Sequence, residues 1–265
     1  MIKIGSCFAG IGGFDLGIET AIPNSGTVWQ IEQDEYCQRI LNKHWPDAVL
    51  YDDIRTVEPS KMIKPDIILA GFPCQDISCA NRVGAGKGVN DGEKSSLWWE
   101  AFRLISEMRP SIICLENVPA INKRGLGSVV AALASEGYDS EWSIISASGH
   151  VGAPHKRNRW FLVGYPRGMQ GDGRCITDTD SRRIGAPTPI QARWATAHAY
   201  ASEGISQYWK DNKAPSPFCS VDDGIPERVA RLKALGNAIV PQCAEYLGRL
   251  IVNSGLIEKC GLENK

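Results

Sequence analysis

Cys74 stands in the segment GFPCQDIS, between Pro73 and Gln75, directly after the apolar run Asp66–Ala70. A cysteine thiol becomes a nucleophile only when a cation, a helix start or a base lowers its pKa. A turn stiffened by proline just past a strand is where an α/β protein presents reactive groups. The bland alternative is a small buried hydrophobe, which suits most of the nine cysteines, Cys7 and Cys114 among them. Glu116, in LENVP, occupies the corresponding place after the run Ser111–Leu115. Beside a nucleophilic cysteine its carboxyl could protonate or orient a substrate; as a lone carboxylate it would be structural. Arg157 and Arg159, in APHKRNR, alternate into a strand and would share one face, able to hold a phosphate, a substrate oxygen or a carboxylate. A solvated loop is the alternative.

A second group of residues suggests a ligand. In FAGIGGF the glycines follow the first strand-like run, so backbone amides at a helix start can approach a cofactor closely, or the glycines serve tight packing alone. The dinucleotide fingerprint G-x-G-x-x-G fails because Asp15 holds its last position, which sets nicotinamide and flavin enzymes back. Glu32 ends the second strand, where a carboxylate accepts from a ribose diol, or is merely solvated at a helix start. Asp52-Asp53-Ile54 could act similarly after a third strand, or cap a helix.

The elements that must position these groups can be read from periodicity. Ile2–Phe8, Thr27–Ile31, Asp66–Ala70 and Ser111–Leu115 read as strands. A helix through Phe14, Leu16, Ile18 and Ile22, another over Glu35–His44 and a third over Ser95–Met108 separate them. This alternation predicts an α/β fold with a mostly parallel sheet and its ligands at the strand C-termini. Tyr138–Ala147 and Trp160–Gly164, with only a loop between them, predict an antiparallel pair closing the sheet. Residues 165–225 lose periodicity, and helices return over Glu227–Leu235 and Pro241–Ile251. Domains are expected at 1–164, with 165–225 an insertion, a small irregular domain or a partly disordered stretch, and a C-terminal segment, 226–265, that packs back on the first.

With 43% hydrophobic and 22% charged residues, 265 residues suit a globular chain with a real core. No apolar run approaches the roughly 20 residues of a membrane span, and no signal-peptide pattern opens the chain, so the cytoplasm is expected. Nine scattered cysteines without C-x-x-C spacing and four histidines without paired spacing argue against disulfides and zinc. A net charge of −1 leaves nucleic-acid binding to a local basic face.

Taken together and in this order, FAGIGGFDLG, GFPCQDIS, LENV, HKRNR and RLKALGNAIVP resemble the motifs of the DNA (cytosine-5)-methyltransferase family. The resemblance covers residues 1–164 and about 226–265. It implies a Rossmann-like methyltransferase fold with a small target-recognition region at 165–225. The implied cofactor is S-adenosylmethionine, released as S-adenosylhomocysteine, with no metal. Phe8, Gly10, Ile11, Gly12, Gly13 and Pro73 would surround it, Glu32 would take the ribose, Asp53 and Ile54 the adenine, and Asn237 would lie near the methionine end. Catalysis would fall to Cys74 as nucleophile on cytosine C6, Glu116 at the N3 edge, and Arg157 and Arg159 on the base and its surroundings. Gln75, Ser78, Arg82, Lys87, Arg167 and Arg174 would contact DNA, and Ser78–Lys94 resembles a loop that closes over a flipped base. Two positions depart from the family pattern: Gln33 replaces an aromatic residue against the adenine, and His155 replaces a glutamine ahead of the arginines. The implied partners are double-stranded DNA and a cognate restriction endonuclease, with the protein a monomer.

Three other readings compete. A related branch methylates transfer RNA but carries a C-F-T tripeptide, absent from this chain. A catalytically dead DNA-binding relative would not need Cys74, Glu116, Arg157 and Arg159 together. A redox enzyme would need a resolving cysteine, and Cys79 is five positions away.

Overall fold

Strands β1 (Ile2–Cys7), β2 (Ser25–Ile31), β3 (Val49–Tyr51), β4 (Ile67–Ala70) and β5 (Ile112–Asn117) run parallel in the order β3-β2-β1-β4-β5. The computed structural model describes residues 1–73, 97–169, 228–263 and 265. Beyond β5 the sheet continues with β7 (Asn158–Pro166) and then β6 (Tyr138–Ser146). The expected antiparallel pair is present, and its second strand lies inside the first: β7 is antiparallel to both neighbours, leaving β6 at the edge. That insertion brings the start of β7 beside the end of β5, with Asn117 opposite Trp160.

The parallel strands are apolar on both faces because helices cover both. Ile67 and Leu69 of β4 face a core shared with α1 (Gly13–Ala21) and α8 (Pro241–Asn253). Ile68 and Ala70 face the opposite core, shared with α3 (Leu97–Met108) and α5 (Leu126–Ser135). The remaining helices among the described residues are α2 (Glu35–His44), α4 (Ile121–Arg124), α6 (Ala147–His150), α7 (Arg228–Asn237) and α9 (Leu256–Lys259). No helix among the described residues is long and apolar enough to cross a membrane.

Some boundaries differ from the periodicity for local reasons. β1 stops at Cys7 because Phe8 adopts a left-handed φ of 57° and turns the chain. β7 begins two residues earlier than expected, so Arg159 lies inside the strand and Arg157 just before it. The glycine turn then uses φ values of +57° at Gly10 and +80° at Gly12, a region that a side chain strains.

The C-terminal segment is seated on the first strand's helix by missing side chains. A Cβ on Gly13 would come within 2.3 Å of the Ile239 carbonyl oxygen, and one on Gly17 within 2.3 Å of that of Pro241. From the other side, a Cβ on Gly248 would lie 2.5 Å from that of Ala21. Backbones this close leave no room for the smallest substitution, so α8 is fixed against the helix that follows the glycine turn.

Candidate active site

The carboxyl end of the sheet gathers groups from the glycine turn, the ends of β2, β4 and β5, the start of β7 and α7. Glu32 follows β2 directly, and its two carboxylate oxygens accept from the amides of Gly10 and Asp34, both at 2.8 Å. The glycine turn and the β2 terminus are thus locked to each other through one side chain. Asp34 caps α2, accepting from the amides of Tyr36 and Cys37. Its carboxylate also accepts from Lys233 of α7 at 2.7 Å. That ion pair holds the Asp34 carboxyl below the ordinary carboxylate range and raises the Lys233 ammonium above its own.

At the end of β5, Glu116 is 8% exposed and meets Arg159 across the strand pair, Arg159 Nε donating to Oε1 at 2.8 Å. Burial pushes the Glu116 carboxyl up to about 7, although the positive charges of Arg159 and Arg157 pull the other way. Desolvation wins because the group sits almost wholly out of water. The neighbouring Asn117 donates to the Phe72 carbonyl at 3.1 Å, tying the end of β5 to the turn that leads into Cys74.

Arg157 reaches elsewhere. Its Nη2 donates to the carbonyl oxygens of Gly236 at 2.9 Å and Ala238 at 2.6 Å, at the end of α7. The two arginines expected on one face both act electrostatically on Glu116, and Arg159 also donates a hydrogen bond to it.

A cavity of about 230 Å³ lies between these segments. Phe8, Gly10, Glu32, Pro73, Glu116, Arg159 and Asn237, all singled out from the sequence, line it. A recess of about 40 Å³ adds Ile11 and Gly13 behind Gly10. Gly12 and Arg157 line a separate, larger groove of about 760 Å³ on the other side of the glycine turn, between α1, α2 and the α7–α8 connection. Asp53 and Ile54 are not in the cavity lining. The Asp53 carboxylate is occupied by Arg55, whose Nη2 lies 2.7 Å away, and its carboxyl is lowered by that pairing. Ile54 is buried in the core. Arg167 follows β7 at the end opposite Arg159, about 25 Å away along the strand. There its Nη2 donates to the Ala134 carbonyl at 3.1 Å. Cys74, Gln75, Ser78, Arg82, Lys87 and Arg174, with the loop Ser78–Lys94 and most of 165–225, lie outside the described residues.

The described cysteines are poor nucleophiles. Burial pushes Cys37 and Cys243 up to about 12 and Cys260 up to about 11, and raises Cys7 and Cys114 as well. Among the lining residues that sequence reasoning passed over, Asp34 carries a legible signal, an aspartate one position ahead of a helix. Lys233 carries none, since its partner is 199 positions away.

The groups in the cavity fit a nucleoside-bearing cofactor. A carboxylate braced by two amides keeps acceptor capacity for a diol, and a Cβ on Gly10 would meet nothing within 4 Å. Across the cavity, a carboxyl with its pKa near neutrality and a guanidinium suit a planar, hydrogen-bonding base.

Comparison with known proteins follows the same lines. The chain matches the family model "C-5 cytosine-specific DNA methylase" over residues 2–207. It is 33% identical over 169 residues to the type II methyltransferase M.Bsp6I of Bacillus sp. (strain RFL6), covering 62% of this chain and 52% of that protein. It is 30% identical over 184 residues to M.Sau3AI of Staphylococcus aureus, covering 63% and 44%. The chain thus spans about half the length of the curated relatives it matches. Among solved structures, S. pombe Dnmt2 methyltransferase superposes with a TM-score of 0.61 at 14% identity, covering 97% of this chain and 99% of that one. Spodoptera frugiperda DNMT2 gives 0.56 at 15% identity, covering 98% and 100%. Those two likenesses concern the fold. The family match takes in the glycine turn, the PCQ and ENV segments and both arginines, and on it the chain belongs to the C-5 cytosine-specific DNA methylase family.

Proposed function

We propose that this protein transfers a methyl group to C5 of cytosine in double-stranded DNA, as the modification enzyme of a restriction–modification system or in phage self-protection. The observation that carries the reading is the Glu116–Arg159 pair, 2.8 Å apart, in one cavity with the Glu32-braced glycine turn and Pro73. Family membership supports S-adenosylmethionine as the cofactor, and when bound it supplies an electrophilic methyl group on a sulfonium. Gly10, Glu32 and Asn237 would hold it, with Phe8 and Pro73 against it.

Cytosine C5 is too weakly nucleophilic to accept a methyl group unaided. In the proposed mechanism the Cys74 thiolate forms a bond to C6, and the C5–C6 π pair moves toward C5. Glu116, protonated in part at neutral pH, donates to N3 and stabilises the charge that addition creates. Arg159 holds the base oxygen while keeping Glu116 oriented. C5 would bond to the methyl carbon as the methyl–sulfonium bond breaks, S-adenosylhomocysteine leaving. The C5 proton then passes to a solvent base, the double bond re-forms, the C6–sulfur bond breaks to return Cys74 as thiolate, and N3 gives its proton back to Glu116. A base within a duplex is out of reach of such a cavity, so the cytosine must be extruded first. The absence of C-F-T favours DNA over transfer RNA.

The test is transfer of a labelled methyl group from S-adenosylmethionine to genomic DNA by the purified chain, with transfer RNA in parallel. Label in DNA recovered as 5-methylcytosine is expected; none in DNA contradicts the reading, and label in RNA alone replaces the substrate. Sequencing the modified sites would give the recognition sequence.

A further inference from the structure

We propose that Arg157 is a positioning residue for the cofactor side of the site, acting through the end of α7. Its motif neighbour Arg159 turns to Glu116, whereas Arg157 Nη2 donates to two carbonyl oxygens, Gly236 at 2.9 Å and Ala238 at 2.6 Å. These carbonyls flank Asn237, whose residue lines both the cavity and its recess. Gly236 belongs to the last turn of α7 and Ala238 follows it directly, where carbonyls lack intrahelical partners and carry the negative end of the helix dipole. A guanidinium is therefore the cap of α7.

The rest of the connection is held from the opposite side. The Ile239 carbonyl oxygen would be 2.3 Å from a Cβ at Gly13, so backbone presses on backbone there. Lys233, one turn earlier in α7, bonds Asp34, the residue whose amide braces Glu32. Asn237 is thus suspended between three fixed points: Arg157, the glycine turn and the start of α2. Only the first comes from the β7 side of the sheet, which also supplies Arg159. Arg157 is consequently the link by which the base side of the cavity sets the geometry of the cofactor side. Removing it frees the Asn237 turn and leaves the Glu116–Arg159 bond in place.

This inference rests on the proposed cofactor, so its test has one arm that needs none. Hydrogen exchange on the ligand-free chain should show faster exchange at amides 236–240 in Arg157→Met than in wild type, with partial recovery in Arg157→Lys, which keeps a charged donor. In the second arm, calorimetry with S-adenosylhomocysteine should show about tenfold or greater weakening in Arg157→Met, the scale of losing hydrogen bonds from a charged group. In turnover, the KM for S-adenosylmethionine should rise more than kcat falls. Unchanged exchange at 236–240 in a folded Arg157→Met protein overturns the inference, as does wild-type affinity for S-adenosylhomocysteine. If the wild type itself fails to bind S-adenosylhomocysteine, the cofactor reading falls, and the exchange arm still decides whether Arg157 holds the turn.

Discussion

Glu116 and Arg159, brought together by the antiparallel pairing of β5 with β7, form a hydrogen-bonded ion pair at 2.8 Å in which the carboxyl still sits near neutrality. The pair is neither a fixed charge couple nor a neutral contact, because burial and the guanidinium oppose each other. This makes the carboxyl a titratable acid at working pH. If its protonated form donates to the base, kcat/KM should fall as pH rises through about 7. Glu116→Gln should lower kcat by roughly 10²-fold or more and abolish that limb. Arg159→Met, which removes the opposing charge, should move the limb to higher pH. A pH–rate profile of the three proteins checks all of this.

Glu32 is the hinge between the glycine turn and α2, since each carboxylate oxygen holds one backbone amide. Glu32→Ala leaves both amides without that partner and removes the acceptor for the ribose. S-adenosylhomocysteine should bind about tenfold to a hundredfold more weakly by calorimetry.

The seating of α8 on α1 predicts a sharp contrast between two glycines. A Cβ at Gly17 would lie 2.3 Å from the Pro241 oxygen, 2.5 Å from the Ala244 Cβ and 2.7 Å from the Glu245 nitrogen. Gly17→Ala should cost about 1–3 kcal/mol in denaturant unfolding. Gly127→Ala, in α5 where a Cβ meets nothing within 4 Å, should be neutral or stabilise by up to about 1 kcal/mol.

Asp15 predicts a pH-dependent stability. It is fully buried among Ser6, Thr27 and Gln30, and burial raises its carboxyl to about 6 despite those donors. The folded state therefore holds a proton that the unfolded state releases near 4. Its favourable contribution is full below about 4 and is lost as pH rises through about 6. The shift corresponds to about 3 kcal/mol across that window. Asp15→Asn should accordingly cost more at pH 4.5 than at pH 7.5, as chemical denaturation at the two values would show.

How far the sequence revealed these relationships depends on their range. Strands β1, β2, β4 and β5 were legible because each is a short apolar run, whereas β3, three residues long and partly exposed, leaves no such run. The ends of β4 and β5, carrying Pro73 and Glu116, followed from the same periodicity. Glu32 was legible because it terminates a strand beside a glycine turn. The division of labour between Arg157 and Arg159 was not, because alternation in a strand fixes a face and says nothing of what reaches that face from 80 residues away. Lys233 and Asp34 are likewise joined only by the fold. The Arg55–Asp53 pair is of the opposite kind, joining residues two positions apart in the sequence.

The central claim is that Cys74 attacks the base, and covalent trapping tests it most directly. Duplex DNA carrying 5-fluorocytosine at a methylated site, incubated with the protein and S-adenosylmethionine, should give a denaturation-resistant complex with the crosslink mapping by mass spectrometry to the peptide containing Cys74. Replacement of the C5 proton by fluorine blocks its departure, so the C6–sulfur bond persists. Cys74→Ala should give no such complex while still binding S-adenosylhomocysteine. A crosslink of undiminished yield in Cys74→Ala, or methylation of normal DNA by that variant, would contradict the account.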